Sequence, residues 1–200
     1  MPEFVWLASR SPRRQELLRQ IGVPFRLLVS DDDEDDERLE LARPGESPTR
    51  YVERVARAKA AAARERLERL GGPDAPVLAS DTTVAIGGRM YGKPADADDA
   101  RRMLRDLSGR THRVLTAVVV ATARGERAAT QVSRVRFARL KPCEIDDYVA
   151  SGEPFGKAGA YAIQGEAARF VRRIEGSHSG IMGLPLYETA RLLRGAGRCR

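Results

Sequence analysis

The clearest candidate for chemistry lies near the amino terminus, where two hydroxyl groups and two guanidinium groups are closely spaced: Ser9, Ser11, Arg13 and Arg14. An apolar run over residues 4–7 predicts a strand, after which Ser11 is a favourable N-cap and Pro12 a favourable first helical residue. The free N–H groups and the positive end of the helix dipole would face the same way as these side chains. The stretch is typical of an anion site, most naturally for a phosphate chain. A capped surface helix with two solvated arginines fits the same spacing.

A carboxylate inside an otherwise apolar predicted strand is the second candidate. Asp81 lies in the middle of residues 77–86, and a buried carboxylate without a partner is too costly to persist. It must therefore be paired, hydrogen-bonded or bound to a cation. A structural aspartate that accepts backbone N–H bonds would also meet that need. Thr82 and Lys93 lie close by in the sequence, which favours a functional role for Asp81.

An uninterrupted acidic run over residues 31–37 follows the predicted second strand, residues 24–29. Because these carboxylates repel one another, a solvated and disordered loop accounts for most of them. The end of a strand is also a common position for functional loops. One or two of these carboxylates could therefore hold a divalent cation.

Two lysines stand out by their position. Lys59 is the only lysine in the predicted helix 47–70, which is otherwise rich in arginine. Lys157 follows a glycine in the segment 152–165 and is a plausible phosphate contact. That segment is not a Walker A loop, because a residue is missing between its glycines and Ala158 replaces the Ser or Thr that would hold magnesium. A P-loop kinase or GTPase is therefore disfavoured.

The elements that must position these side chains follow from the hydrophobic periodicity. Strands are predicted over residues 4–7, 24–29, 77–86, 114–123, 131–140 and 170–174. Helices are predicted between Ser11 and Gly22, from Ser47 to about Leu70, after the cap Asp96, around Ile145 to Val149, and after Leu184. Gly87 and Gly88 predict a hairpin turn, and residues 176–180 are predicted to be a loop.

The composition limits the class of protein. The chain has 200 residues, 42% of them apolar, which suits a soluble protein with one large domain or two small lobes. A net charge of +7 allows a polyanionic ligand, but no basic run interleaved with aromatics indicates nucleic acid. Two cysteines without ligand spacing predict neither a zinc site nor a disulfide framework. No signal peptide or membrane-spanning run is present, so the expected compartment is the cytoplasm.

Several separated stretches coincide with the motifs of one family: Ser9–Arg14, Ala79–Thr82, Gly92–Pro94, Leu107–Arg110, Lys157–Tyr161 with Ile163–Gly165, and Met182–Pro185. In this order and spacing the chain resembles the Maf-type nucleoside triphosphate pyrophosphatases over nearly its whole length. The resemblance implies an α/β fold with a long mixed sheet and flanking helices, in two lobes around a cleft, as in inosine triphosphate pyrophosphatases. It also implies a single domain over residues 1–200 without a linker, and a homodimer.

The resemblance further implies hydrolysis of a nucleoside triphosphate to the monophosphate and pyrophosphate, with Mg²⁺ or Mn²⁺ as cofactor. Asp81 matches the family's proposed general base. Three positions match the pattern of the dTTP/UTP subfamily: Arg13, Thr82 and Gln164. The substrates would then be dTTP and UTP, or modified pyrimidine nucleotides. The family's acidic pair after the second strand corresponds to Asp33 and Glu34.

The residues then divide into expected roles. Phosphate binding is expected from a set of hydroxyl and basic side chains: Ser9, Ser11, Arg13, Arg14, Lys59, Lys93 and Lys157. Metal binding is expected from Asp81, Asp33 and Glu34. Gln164 and Thr82 suit a pyrimidine edge because both can donate and accept hydrogen bonds. The chain departs from the family at three positions: Arg10, Gly156 and His178.

Two other functions remain open. A 7-methyl-GTP pyrophosphatase would differ only in the pocket for the base. A non-enzymatic regulator of cell division that binds nucleotides or nucleic acid would suit the positive charge. Metal dependence separates the hydrolases from such a binder, whereas a steep salt dependence of DNA binding would favour the binder. Neither a nucleic-acid partner nor a membrane is expected.

Overall fold

The computed structural model describes residues 3–30 and 38–196. Its apolar runs form one seven-stranded sheet of β1 (Val5–Leu7), β2 (Phe25–Leu27), β3 (Val77–Ile86), β4 (Arg89–Tyr91), β5 (Thr111–Thr122), β6 (Gly125–Phe137) and β7 (Val171–Glu175). The order is β2-β1-β3-β5-β6-β7, and β4 also pairs with β3. β1 is parallel to β2 and β3, and the other pairs are antiparallel. The predicted α/β fold with a mixed sheet and flanking helices is confirmed.

Three helices begin directly after the N-caps that the sequence predicts, Ser11, Ser47 and Asp96. The α-helices are α1 (Pro12–Gln20), α2 (Pro48–Leu70), α3 (Ala97–Leu107), α4 (Pro142–Ala150), α5 (His178–Met182) and α6 (Leu186–Ala196). Ser47 caps α2 by accepting from Arg50 N, and Asp96 caps α3 by accepting from Asp99 N. Among the described helices, none combines the length and apolar character needed to traverse a bilayer.

Alternate residues of β3 face two different layers of the core. On one face, Ala79 and Ala85 pack in a cluster with the apolar stripe of α2. On the other face, Leu78 belongs to a cluster with α1 and α6, and Val84 to a separate cluster with α3 and α4. Two polar side chains separate these clusters along the strand: Ser80 and Thr82. The apolar core on this face is therefore divided in two, with a polar centre between the halves.

One edge of β3 is open at the same place. β1 pairs with β3 up to Leu78, and β4 pairs with it from Val84 onward. Within the described ranges, residues 79–83 have no strand partner on that edge, whereas β5 covers the opposite edge. The opening places Asp81 and Thr82 beside the loops that follow β1 and β4.

Several predicted boundaries are wrong. β6 begins at Gly125 and not at residue 131, because the β5–β6 turn occupies only residues 123–124 and the ladder starts with Thr122 opposite Gly125. Likewise β5 begins at Thr111 and not at residue 114, and β2 is limited to Phe25–Leu27. The polar start of β6 is held as a strand by its apolar partner β5, a contact that local periodicity does not report.

The predicted loop over residues 176–180 is also wrong, because α5 begins within it. Ser177 caps this short helix by accepting a hydrogen bond from Gly180 N at 3.0 Å. The serine cap in a glycine-rich stretch was the signal for this helix.

Candidate active site

Asp81 is held at the centre of β3 by a lysine from α2. Lys59 Nζ lies 2.9 Å from Asp81 Oδ1 and 2.6 Å from Glu40 Oε1. Lys93 Nζ, in the loop after β4, lies 3.2 Å from Glu40 Oε2. The side chains of Asp81 and Lys59 are 7% and 10% exposed, and that of Lys93 is 52% exposed. Two carboxylates and two ammonium groups thus form a charged chain from the buried strand to the surface.

The charges in this chain stabilise one another. Burial opposes ionisation of Lys59, but the carboxylates of Asp81 and Glu40 outweigh it and raise the pKa of the ammonium group. Burial also opposes ionisation of Glu40, and Lys59 and Lys93 outweigh it and lower the pKa of that carboxyl. Lys59 is therefore a fixed cation at neutral pH, and it orients both carboxylates.

The segment that carries Glu40 is anchored to α2. Tyr51 donates a hydrogen bond to the Glu40 carbonyl at 2.8 Å. Arg54 donates to the carbonyls of Leu39 and Leu41 and forms a 2.7 Å ion pair with Glu46. The hydrogen bond from Arg54 lowers the pKa of Glu46 to about 2. These contacts fix the backbone on both sides of Glu40, so its carboxylate has a defined position.

Arg14 reaches the opposite face of β3. Its Nε donates to the Gly183 carbonyl at 2.8 Å, and its Nη1 donates to Ser9 Oγ at 3.1 Å. Ser80 Oγ donates to the same Gly183 carbonyl at 2.9 Å. Burial lowers the pKa of Arg14, and the charge of Asp81 offsets part of that effect. The guanidinium is therefore oriented by Ser9 and by the Gly183 carbonyl, which Ser80 of β3 also binds, and its remaining N–H groups can meet a ligand.

The two serines of the first loop keep hydrogen-bonding capacity. Ser9 Oγ accepts from Arg14 Nη1 and from Ser11 N at 3.2 Å, so its own hydrogen has no acceptor among the described residues. Ser11 is the N-cap of α1 as predicted, but its side chain makes no cap hydrogen bond. Both hydroxyls are thus able to donate to an anion. Arg10, a departure from the family, donates to the Ser30 carbonyl.

Thr82 has a single defined hydrogen-bond polarity. Thr116 Oγ1 donates its hydrogen to the Gly180 carbonyl at 2.7 Å. The Thr82 and Thr116 hydroxyl oxygens are 3.0 Å apart, so Thr82 must be the donor in that pair. Thr82 therefore presents only acceptor capacity to a ligand, which is narrower than the donor-and-acceptor role expected from its side-chain type.

A second group of charges surrounds Arg13 on the first turn of α1. Burial lowers the pKa of Arg13, opposed by Tyr148 and Glu153. Its Nε is buried and has no hydrogen-bond partner in the part of the chain that the structure describes. Burial and the charge of Arg13 lower the pKa of Lys157, whose Nζ donates to the Phe155 carbonyl at 3.1 Å. Arg13 and Lys157 therefore face the same region from two different elements.

Gly159 seats the loop between Lys157 and Gln164 on β3. Its φ is +71°, and a Cβ there would lie 2.8 Å from Val84 Cγ2. Gly159 N also donates to the Gly92 carbonyl at 3.0 Å, which joins this loop to the one that carries Lys93. Only glycine permits both the left-handed backbone and the close approach. Gln164 itself is exposed.

The predicted residues therefore form two groups. Direct contacts join Ser9 to Arg14 and Asp81 to Lys59. Lys93 is joined to Lys59 through Glu40, whose carboxylate contacts both ammonium groups. Arg13 and Lys157 interact through their charges, and no hydrogen bond among the described residues joins Thr82 or Gln164 to another predicted residue. Asp33 and Glu34 lie outside the described residues.

Sequence reasoning missed Glu40, whose one signal was an isolated acid between two leucines just after the acidic run. It also missed Tyr148 and Glu153, for which no local signal exists.

Hard oxygen donors suit Mg²⁺ or Mn²⁺. Asp81 and Glu40 supply two carboxylates that already share one cation, the Lys59 ammonium group. Across residues 3–30 and 38–196, no set of three or more His, Cys, Asp or Glu side chains is placed to bind a metal. The donors thus fit a cation that takes further ligands from a phosphate chain or from outside these ranges.

The fold and the site define an α/β protein with a buried carboxylate at an open sheet edge, among basic side chains. The family model described as Maf-like protein matches residues 4–196, and the chain belongs to that family. It is 62% identical over 197 residues to a Cupriavidus metallidurans protein named dTTP/UTP pyrophosphatase, covering 98% of both chains. A Ralstonia nicotianae protein of the same name is 63% identical over 190 residues, covering 94% of this chain and 92% of the relative.

The fold also has a likeness among solved structures. The Ham1 protein of Staphylococcus aureus matches with a TM-score of 0.53 at 12% identity, covering 98% of this chain and 100% of that one. At this identity the likeness concerns the fold alone.

Proposed function

We propose that this protein hydrolyses dTTP and UTP to the monophosphate and pyrophosphate. The observation that carries the proposal is the Asp81 carboxylate, oriented by Lys59 at the open edge of β3 and flanked by basic side chains. The substrate pair is taken from the relatives named dTTP/UTP pyrophosphatase, which match at 62% and 63% identity over nearly the whole chain.

The basic residues would neutralise the triphosphate. Arg14 has N–H groups left after its bonds to Gly183 and Ser9, and the Lys93 ammonium group is half exposed where it pairs with Glu40. Ser9 and Ser11 offer hydroxyl donors at the start of α1, where the helix dipole also favours an anion. Arg13 and Lys157 would contact the phosphates from the other side. This charge stabilises the pyrophosphate leaving group in phosphoryl chemistry.

Asp81 would act as the general base. A water between Asp81 and the α-phosphorus would lose its proton to the carboxylate as it attacks, and pyrophosphate would leave. Lys59 keeps Asp81 oriented through the 2.9 Å contact.

We also propose that Asp81 and Glu40 hold a Mg²⁺ or Mn²⁺ ion, with Asp33 and Glu34 as further candidates outside the described residues. A bound cation would neutralise phosphate oxygens and act as a Lewis acid. Glu40 is added to the metal ligands expected from the sequence. Its role is supported by the contact of its carboxylate with the same Lys59 ammonium group that contacts Asp81.

The pyrimidine would be read by Thr82 and Gln164. Thr82 can only accept, which fits a base that offers an N–H group, as thymine and uracil do at N3. Gln164 is exposed and can both donate and accept.

Product analysis tests this function. The protein would be incubated with dTTP, UTP, CTP or 7-methyl-GTP, with Mg²⁺ or with chelator, and the products separated by ion exchange. Monophosphate and pyrophosphate from dTTP and UTP, with metal only, would support both reaction and specificity. The same products from 7-methyl-GTP alone would contradict the pyrimidine assignment. Diphosphate with inorganic phosphate would contradict the mechanism, and no turnover would favour a binding protein.

A further inference from the structure

Two side chains outside the proposed catalytic set fix the loop that carries Gln164. Tyr148 Oη, from α4, accepts from Ala162 N at 3.2 Å and donates to Glu153 Oε1 at 2.8 Å. Glu153 Oε2 accepts from Glu166 N at 3.0 Å, and Oε1 accepts from Ala167 N at 3.4 Å. The Tyr148–Glu153 pair therefore binds backbone amides on both sides of Gln164.

The carboxylate also packs directly against the residue that follows Gln164. Gly165 has a φ of −103°, which any residue can adopt. A Cβ at this position would nevertheless collide with the Glu153 side chain, whose Cδ would be 2.5 Å away. A side chain here would force the Glu153 carboxylate out of its hydrogen-bonded position, whereas the backbone conformation does not require glycine. The loop and the carboxylate thus fit each other closely.

Glu153 is charged and lies near the basic side of the site. Burial opposes its ionisation, but the hydrogen bonds from Glu166 N, Tyr148 and Ala167 N outweigh it and lower the pKa. Its charge, in turn, favours the protonated forms of Arg13 and Lys157. The carboxylate that fixes the loop of Gln164 therefore also acts, through its charge, on two proposed phosphate ligands.

We propose that Glu153, held by Tyr148, is a positioning residue for recognition of the base. Together with Tyr148 it fixes the Gln164 loop in its binding geometry through the hydrogen bonds to Ala162 N, Glu166 N and Ala167 N. The inference rests on the proposed function, because it requires a pyrimidine nucleotide whose base is read at Gln164.

Glutamine, the neutral isostere of Glu153, cannot accept the same set of hydrogen bonds. Both oxygens of Glu153 accept hydrogen bonds, and Oε1 accepts two. In Glu153→Gln, the amide NH₂ must face an N–H or O–H donor and leave it unsatisfied. The loop should then lose its fixed geometry, while the phosphate-binding side chains remain.

The test compares a ligand that has a base with one that has none. Binding of the non-hydrolysable α,β-imido analogue of dTTP and of inorganic tripolyphosphate would be measured by calorimetry for wild type and Glu153→Gln. We expect the dTTP analogue to bind about tenfold more weakly to the variant, the scale of one unsatisfied buried group. Tripolyphosphate should bind equally well or more tightly, because a negative charge beside Arg13 and Lys157 is gone.

Matched variants make the result specific. Glu166→Gln removes a charge from the same loop, but among the described residues the one ion pair of its carboxylate is with Arg169 at 4.0 Å, so both affinities should stay within twofold. Tyr148→Phe keeps the Glu153 carboxylate and should selectively weaken binding of the dTTP analogue. It provides a second test if Glu153→Gln folds poorly.

Equal losses for both ligands, or no loss for either, would overturn the inference. Binding does not require turnover. If Glu153→Gln selectively weakens binding of the dTTP analogue but the wild type does not hydrolyse dTTP, the proposed reaction is refuted and the positioning role is supported. A wild type that does not bind the dTTP analogue would refute both.

Discussion

At the scale of single residues, Asp81 combines a structural cost with a proposed catalytic task. A carboxylate with only 7% of its side chain exposed persists because Lys59 reaches it from α2. The same ammonium group also binds Glu40, so removing either carboxylate leaves Lys59 one partner. This arrangement allows the carboxylate to be changed without leaving the lysine charge unpaired.

The first prediction concerns Asp81→Asn. The amide oxygen can still accept from Lys59, and Glu40 keeps that charge paired, so the fold should persist. At a saturating Mg²⁺ concentration the KM for dTTP should change little. Turnover should fall about a hundredfold or more, because the amide cannot take a proton. Steady-state kinetics with dTTP, together with thermal unfolding, measure this.

Asp106→Asn is the control for the Asp81 variant. Asp106 accepts from Tyr91 at 2.9 Å, in the layer of α3, and has no proposed role in turnover. Its variant should keep wild-type kcat. Near-normal turnover of Asp81→Asn would rule out Asp81 as the base.

At the scale of elements, local sequence signals predict where segments begin and end but not how loops dock. The caps Ser47 and Asp96 correctly predict the starts of α2 and α3. By contrast, the loop of Lys157 depends on Gly159, whose requirement comes from Val84, far away in the chain. Its docking determines where Lys157 and Gln164 can be.

The second prediction compares two glycines of this segment that share a φ of +71°: Gly156 and Gly159. A Cβ added at Gly156 would have no described atom within 4 Å, so Gly156→Ala should cost only the backbone strain, about 1 kcal/mol. Gly159→Ala adds a collision with Val84 and should cost at least about 2 kcal/mol. Urea unfolding measures the difference in unfolding free energy between the two variants. Combining Gly159→Ala with Val84→Ala should reduce that difference, because the side chain that collides is smaller. Equal costs for the two alanine variants would contradict the docking.

At the scale of the whole molecule, polar groups buried in the core make stability depend on pH. His112 is 1% exposed, and its Nε2 lies 2.9 Å from Tyr161 Oη. Its Nδ1 has no partner within the described residues. Burial lowers the pKa of His112 from 6.5 to about 4, so the imidazole is neutral in the folded protein at neutral pH.

The third prediction is therefore a loss of stability in acid. The unfolded chain takes up a proton at His112 near pH 6.5, whereas the folded chain does so only near pH 4. The stability is present above pH 6.5 and declines as the pH falls towards 4. Between pH 7 and 5 the free energy of unfolding should fall by about 2 kcal/mol from this group.

Variants of the two histidines isolate that contribution. Urea unfolding at pH 7 and pH 5 should show a smaller pH dependence for His112→Phe than for wild type. His178→Gln, at an exposed position, should keep the wild-type dependence. An unchanged dependence in His112→Phe would refute the assignment.

The features of this protein that depend on neighbours along the chain could be predicted from the amino-acid sequence. Periodicity and caps predict the long elements, because burial of one stripe or face repeats at a fixed spacing. The unusual carboxylate of Asp81 also stands out locally, since an isolated charge in an apolar strand needs a partner. The family resemblance rests on such local stretches and agrees with the family match over residues 4–196.

Which groups meet could be learned only from the folded chain. Lys59 and Glu40 come to Asp81 from other segments, and the bond from Ser80 to Gly183 joins residues 103 positions apart. The open edge of β3 exists because β1 pairs with β3 only as far as Leu78, and β4 pairs with it only from Val84 onward. Hydrogen-bond partners and close contacts are properties of chain segments brought together in space, so periodicity and local spacing do not contain them.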